Sequence, residues 1–134
     1  MKCTEFNVAA KDSANLFVRN CVPQPTDRCG RTLVIVHGTS EHGGRYLHAA
    51  EEAVARGWDV IIPDLRGHGQ SDGIAVHIDR FEQYLQDLDT IWQYFELNPE
   101  RTAVLGHSFG GLVSVRFAQT RPSRLAALVP MSPL

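Results

Sequence analysis

The sequence predicts one α/β domain in which a mostly parallel β-sheet carries helices on both faces. From residue 32 onward, short apolar runs alternate with segments of helical periodicity, in the order strand, helix, strand, helix, strand, helix, strand. Parallel neighbours need long crossover connections, so this alternation favours a sheet covered by helices. The 134 residues are 43% hydrophobic and contain no repeat or linker-like stretch, which indicates a single core.

The segment before this alternation predicts an antiparallel hairpin. Residues 16–22 have the pattern of a strand, and residues 5–9 can pair with them across the polar turn at 11–15. Residues 23–30 contain two prolines and a glycine, and we expect them to form a loop that leads into the parallel sheet.

The first strand, helix and strand of the alternation are read from residues 33–62. The β-branched run 33–36 predicts a buried parallel strand that ends at His37 and Gly38. A helical stripe follows, and Gly57 takes the position of a C-terminal cap. The stripe consists of Leu47, Ala50 and Val54. Residues 59–62 then predict the next strand.

The second half of the chain contains the clearest helical pattern. Apolar residues keep helical spacing from 81 to 95, and Pro99 supplies the stop. We expect a strand at 102–105, a helix at 109–119 and a final strand at 125–131.

Charge and composition exclude several classes of partner. A net charge of −2 and a pI near 6.3 disfavour nucleic acid and anionic membranes as partners. The N-terminus lacks the apolar core of a signal peptide, and no apolar run approaches the roughly 20 residues that span a bilayer. We therefore expect a soluble, cytoplasmic protein without a transmembrane segment.

Cysteine spacing and glycine motifs give no sign of a metal or cofactor. Cys3, Cys21 and Cys29 are odd in number and form no C-x-x-C pair, so we expect reduced structural thiols. The sequence lacks a complete dinucleotide fingerprint, a phosphate-binding P-loop and an H-E-x-x-H motif. We expect no cofactor and no metal.

One motif carries chemistry. Residues 106–110 read Gly-His-Ser-Phe-Gly, which fits G-x-S-x-G, and they lie between a predicted strand and a predicted helix. A turn this sharp exposes Ser108 and leaves no room for a Cβ at Gly106 or Gly110. The alternative is a chance glycine-rich helix start with Ser108 as its N-cap.

Two further segments, together with this motif, carry a family resemblance. Residues 37–46 read HGTSEHGGRY, and residues 64–73 read DLRGHGQSDG. In this order the three motifs resemble the α/β-hydrolase superfamily. Within it they are similar to the monoacylglycerol lipase and lysophospholipase group, whose signature is also called serine aminopeptidase-like.

The resemblance implies that Ser108 is a nucleophile that forms an acyl-enzyme with a small-molecule ester or lipid. It also implies an oxyanion hole made by the backbone N–H groups of Thr39 and Phe109. The residues that would support the elbow and the oxyanion loop are Gly106, Gly110, His37 and Gly38. For His37 we prefer a ring that orders the loop to a catalytic role.

Other polar residues of the two loops receive structural interpretations. Asp64, Arg66 and His68 are expected to stabilise their turn by hydrogen bonds. Arg45 and Tyr46 could position a polar head group, and anchoring of the loop is the preferred reading.

A serine nucleophile needs a base and an acid that orients the base. No Asp, Glu or His follows Ser108, where the family places both residues. We therefore expect residues 1–134 to form the N-terminal part of a hydrolase domain, without its lid and its acid and base strands. The alternatives are a noncatalytic remnant, a split hydrolase that associates through an exposed sheet edge, or His37 or His68 acting as the base.

Overall fold

The computed structural model describes all 134 residues and contains six strands and three α-helices. The alternation predicted from residue 32 onward is confirmed. The strands are β1 (Lys2–Ala9), β2 (Asn15–Val22), β3 (Thr32–Val36), β4 (Asp59–Pro63), β5 (Thr102–His107) and β6 (Ala127–Met131). The helices are α1 (Leu47–Ala55), α2 (Glu82–Tyr94) and α3 (Phe109–Thr120).

All six strands form one sheet in the order β1-β2-β4-β3-β5-β6. Strands β4, β3, β5 and β6 are mutually parallel, and β2 joins β4 in antiparallel orientation. The predicted hairpin of β1 and β2 is confirmed, and β1 extends three residues further towards the N-terminus than the sequence indicated. The sheet is therefore mostly parallel, as predicted.

The helices cover both faces of the sheet, which confirms the predicted layers. On one face, α2 and α3 cover the larger core, in which the tilted rings of Trp92 and Phe117 pack with centroids 4.8 Å apart. On the other face, α1 contributes Ala50 and Val54 to a smaller core. Leu47 was expected in this stripe but is 37% exposed, and it is the first residue of α1, whose buried residues are Ala50 and Val54.

Helix and strand ends depart slightly from the sequence prediction. Gly57 follows α1 with φ +87°, and its N–H donates to the Val54 carbonyl, as a C-terminal cap does. Strand β6 begins at Ala127 rather than residue 125, because a short 3₁₀ turn at Pro122–Arg124 delays its pairing with β5.

The prediction of three reduced cysteines is wrong for two of them. Cys3 and Cys21 form a disulfide, and Cys29 is free and exposed. Register explains the pair, since Cys3 lies directly opposite Cys21 in the antiparallel hairpin, with Cα atoms 4.0 Å apart. Extending the predicted hairpin by two residues would have found this pair from the sequence.

Candidate active site

The three segments that resemble hydrolase motifs meet at one edge of the sheet. The first follows β3, the second follows β4 and the third follows β5, and these strands are parallel. Carboxyl ends of parallel strands share one edge, which is where open α/β sheets bind ligands. The topology therefore places the candidate residues together.

Ser108 occupies a strained turn between β5 and α3. Its backbone has φ 54° and ψ −118°, a region that residues other than glycine rarely adopt. The Ser108 N–H donates to the Met131 carbonyl at 2.9 Å, while the side chain is partly exposed. The turn thus holds a serine hydroxyl at the edge of the sheet, as the motif predicts.

The glycines beside Ser108 are required by close backbone packing. A Cβ on Gly106 would lie 2.5 Å from the Gly110 carbonyl oxygen. A Cβ on Gly110 would overlap the carbonyl oxygens of Val36 and His37. Strand β3, strand β5 and helix α3 therefore approach each other too closely for any larger residue here.

The loop after β3 lies against the elbow. A Cβ built on Gly38 would be 3.3 Å from Ser108 Cβ and 3.3 Å from the His107 carbonyl oxygen. The next residue, Thr39, is exposed and its N–H donates to no protein acceptor. Phe109 is the first residue of α3, so its N–H has no acceptor within the helix. Both proposed oxyanion donors thus belong to segments that border Ser108.

His37 ties the loop after β3 to the loop after β4. The ring is fully buried, its Nδ1 lies 2.7 Å from the Gly38 carbonyl oxygen, and its Nε2 accepts the Leu65 N–H at 2.9 Å. Burial lowers the pKa of His37, so the ring is neutral in the folded protein at pH 7. Both nitrogens are engaged in holding loops.

Sequence reasoning missed a second tie, which is centred on Glu41. One carboxylate oxygen of Glu41 accepts the Gly38 N–H at 2.6 Å and the Tyr46 hydroxyl at 2.5 Å. The Tyr46 oxygen also lies 3.0 Å from Nδ1 of His107, the residue before Ser108. Burial alone would raise the pKa of Glu41, but these hydrogen bonds outweigh it and lower that pKa.

The signal for Glu41 was present in the sequence, since a carboxylate three residues after Gly38 can reach back to its N–H. Tyr46 anchors the loop, whereas the side chain of Arg45 is 66% exposed and lies 3.5 Å from Glu41. This cluster opens on a cavity of about 270 Å³. Its lining residues are Glu41, Arg45, Tyr46, His48, His107 and Met131.

Asp64 organises the loop after β4. One oxygen of its buried carboxylate accepts Arg19 Nη1 at 2.9 Å and the Gly43 N–H at 2.8 Å. The other oxygen accepts the Gln70 N–H at 2.9 Å. Asp64 therefore joins β2, the loop after β3 and its own loop.

Arg66 and His68 act within the same loop. Arg66 bridges Asp12 in the hairpin turn and Asp87 on α2, with contacts of 2.6 and 2.8 Å. His68 has Nδ1 3.0 Å from the Arg66 carbonyl oxygen and a buried Nε2 without a partner. These hydrogen bonds stabilise the turn.

The structure does not pair Ser108 with a base. No imidazole of the chain forms a hydrogen bond with the Ser108 hydroxyl, and the hydrogen bonds that the rings make go to other groups. The two histidines that the sequence offered as a base are His37, whose two nitrogens are engaged, and His68, which is 5% exposed.

Comparisons with known proteins agree with the fold and the motifs. The family described as serine aminopeptidase, S33, matches residues 28–134. Phospholipase YtpA of Bacillus subtilis is 33% identical over 108 residues, which are 80% of this chain and 42% of that protein. The monoacylglycerol lipase of Mycolicibacterium smegmatis is 36% identical over 104 residues, which are 75% of this chain and 37% of that protein.

A solved structure also resembles this chain in fold and sequence. The monoacylglycerol lipase of Paleococcus ferrophilus superposes with a TM-score of 0.77 at 32% identity, covering 88% of this chain and 43% of its own. The chain thus spans about two fifths of the length of the curated relatives that it matches.

Proposed function

The chain belongs to the serine aminopeptidase S33 family of α/β hydrolases, and from this membership we propose that it hydrolyses carboxylic esters through an acyl-enzyme at Ser108. The substrate class we propose is a monoacylglycerol or a lysophospholipid, because relatives that share 33% and 36% identity carry the names phospholipase and monoacylglycerol lipase. Ester hydrolysis by the proposed mechanism requires no cofactor for either substrate class.

The proposed reaction follows from the position of Ser108. Its hydroxyl oxygen attacks the ester carbonyl carbon, and its proton passes to a base. The carbonyl oxygen becomes negative and accepts hydrogen bonds from the N–H groups of Thr39 and Phe109. The bond to the alcohol breaks, the alcohol leaves with a proton, and water then hydrolyses the acyl-enzyme.

One observation carries this proposal. The strained backbone at Ser108, with φ 54°, holds a hydroxyl without a hydrogen-bond partner beside a loop whose Thr39 N–H is free. A serine that only capped a helix would accept an N–H from the first turn, and Ser108 makes no such bond. Strain of this kind persists where function requires it.

A fluorophosphonate probe tests the proposal on the 134-residue chain. We expect labelling that requires the folded state and that mass spectrometry locates at Ser108, and Ser108→Ala should abolish it. Without a base, the rate should reflect only the residual 10³ to 10⁴-fold acceleration over water that an oxyanion hole and binding provide, as an order of magnitude.

Ser123→Ala is the matched control, because Ser123 is an exposed serine in the turn after α3 and should label as the wild type does. Labelling that survives heating, or that persists in Ser108→Ala, would contradict the assignment of Ser108.

A second candidate function is that of a noncatalytic remnant, or half of a split hydrolase that acts with a partner carrying the acid and the base. The observation that favours it is an apolar groove of about 580 Å³ beside the unpaired edge of β6. Most of its lining is apolar, and the lining residues are Leu33, Ala49, Glu52, Ala53, Arg56, Trp58, Ala103, Leu105, Ala127 and Val129. We propose that this edge and groove associate with another polypeptide segment.

Adding a C-terminal fragment of a relative separates the two candidates. Labelling of Ser108 only after this addition supports the split hydrolase, whereas efficient labelling of the chain alone supports a self-sufficient site. No labelling under either condition supports the remnant.

The cytoplasmic location stays a prediction. No helix is long and apolar enough to cross a membrane. The disulfide between Cys3 and Cys21 is typical of oxidising compartments. Trapping free thiols in intact cells tests the location, since a cytoplasmic chain should yield three alkylated cysteines and a chain in an oxidising compartment should yield one.

A further inference from the structure

The peptide group between Gly38 and Thr39 is held from its carbonyl side. Its carbonyl oxygen belongs to Gly38 and lies 2.7 Å from His37 Nδ1. Its N–H belongs to Thr39 and has no acceptor in the structure. In a trans peptide the carbonyl and the N–H point in opposite directions, so a hydrogen bond that fixes the carbonyl also fixes the direction of the Thr39 N–H.

The tautomer of His37 follows from its two partners. Leu65 offers an N–H to Nε2 at 2.9 Å, so Nε2 must be the acceptor and must carry no proton. In the neutral ring the proton then resides on Nδ1, which donates to the Gly38 carbonyl. The loop after β4 thus sets the tautomer that the loop after β3 requires.

The preceding peptide is held from its N–H side. Glu41 accepts the Gly38 N–H at 2.6 Å and is itself fixed by the Tyr46 hydroxyl. Two neighbouring peptide groups are therefore clamped by two different side chains. The Gly38 N–H is occupied by Glu41, whereas the Thr39 N–H is a free donor in the loop that lies against Ser108.

We propose that His37 is a positioning residue that aims the Thr39 N–H at the oxyanion by holding the Gly38 carbonyl, with Glu41 holding the peptide before it. This inference rests on the proposed function of Ser108. It gives His37 a role in the rate of acylation, beyond the ordering of a loop. A hydrogen bond to the carbonyl also polarises the amide and strengthens its N–H as a donor.

Two substitutions separate the hydrogen bonds of His37. The amide of His37→Asn can place an N–H near the position of Nδ1 and keep the bond to the Gly38 carbonyl. The longer side chain of His37→Gln reaches the position of Nε2 and keeps the bond to Leu65 instead. Both variants are neutral and lose one of the two bonds, so their free energies of unfolding should be similar.

The measured quantity is the rate of fluorophosphonate labelling of Ser108 at saturating and subsaturating probe. We expect His37→Gln to lose on the order of 10²-fold in the maximal rate, as loss of an oxyanion donor does, with little change in probe affinity. His37→Asn should keep most of this rate. Equal losses in both variants, or losses that follow their stability, would overturn the proposal.

A measurement on the wild-type chain keeps the test decisive if His37→Gln does not fold. The ¹⁵N shifts of His37 should show a protonated Nδ1 and a bare Nε2, and phosphonylation of Ser108 should move the Thr39 amide proton downfield. The opposite tautomer, or an unchanged Thr39 signal, would also overturn the proposal. Failure of the proposed function itself is recognised separately, because Ser108→Ala would then label like the wild type.

Discussion

The carboxyl edge of the sheet and the α1 face beside β6 are built in opposite ways. At the carboxyl edge, loops of irregular backbone are held by buried polar side chains, chiefly His37, Glu41 and Asp64, each with two or more hydrogen bonds. Beside β6, an apolar groove is covered by nothing, and Val129 is 48% exposed.

The polar network fixes the loops of the candidate site, whereas the apolar groove beside β6 takes no part in holding them. Buried polar groups stabilise only when all their partners are in place, so the loops around Ser108 can be ordered within this chain alone. Covering an exposed apolar groove with an apolar partner removes apolar surface from water, which lowers the free energy. The turn at Ser108 is therefore held in place within this chain, while the β6 side remains open to association.

The largest expected effect comes from breaking the polar network. Asp64→Asn leaves Arg19 without its charged partner, and the two side chains are 0% and 11% exposed. Loss of one partner from such a pair costs about 3 kcal/mol of unfolding free energy. Denaturant unfolding measures this loss, and the labelling rate of Ser108 should fall with it.

The matched control lies on the rim of the groove. Glu52 and Arg56 form an ion pair whose side chains are 76% and 68% exposed, so Glu52→Gln should cost less than about 0.5 kcal/mol. Equal losses in the two variants would mean that the loops around Ser108 are not held by their buried charges.

A pH titration should produce the next largest effect. Burial lowers the pKa of His37 below its usual 6.5, so below that pH the unfolded chain binds a proton that the folded ring resists. The contribution of His37 to stability is complete above pH 6.5 and is lost as the pH falls towards the folded pKa. In this range the unfolding free energy falls by up to about 1.4 kcal/mol per pH unit for one proton.

Comparison of the wild type with His37→Asn isolates this slope between pH 7 and pH 5. The lowered pKa of Glu41 acts only below about pH 4.5, and burial raises the pKa of Asp87, which acts in the opposite direction in both proteins. Unfolding free energies that fall in parallel for the two proteins would show that His37 is not the group that titrates.

The fold was predictable because its signals are local. Apolar periodicity identified every strand and helix from residue 32 onward, and glycines at 106 and 110 marked the elbow through a steric need that is written in the sequence. The placement of Ser108 followed from parallel topology alone.

The partners of the polar side chains could not be predicted, since they join residues that are distant in sequence. Asp64 meets Arg19 across 45 positions, and Arg66 meets Asp12 across 54. The disulfide was missed for a different reason, because the predicted first strand began at residue 5 and so did not include Cys3. Glu41 lies only three residues after Gly38, so its bond to the Gly38 N–H was within reach of the sequence, whereas the contact between Tyr46 and His107 spans 61 positions.

The smallest change in stability, with the clearest change in association, is expected at the groove. Val129→Asp places a charge on an exposed edge strand that has none of its own, so it should change the unfolding free energy by less than about 0.5 kcal/mol while it opposes pairing at β6. Sedimentation velocity should show weaker self-association than in the wild type. Thr4→Asp on the opposite edge strand, which already carries Lys2 and Glu5, is the matched control and should leave association unchanged. If Val129→Asp associates as the wild type does, the groove is not the surface through which the chain meets other polypeptides, and the contrast between the two regions reduces to one of polarity.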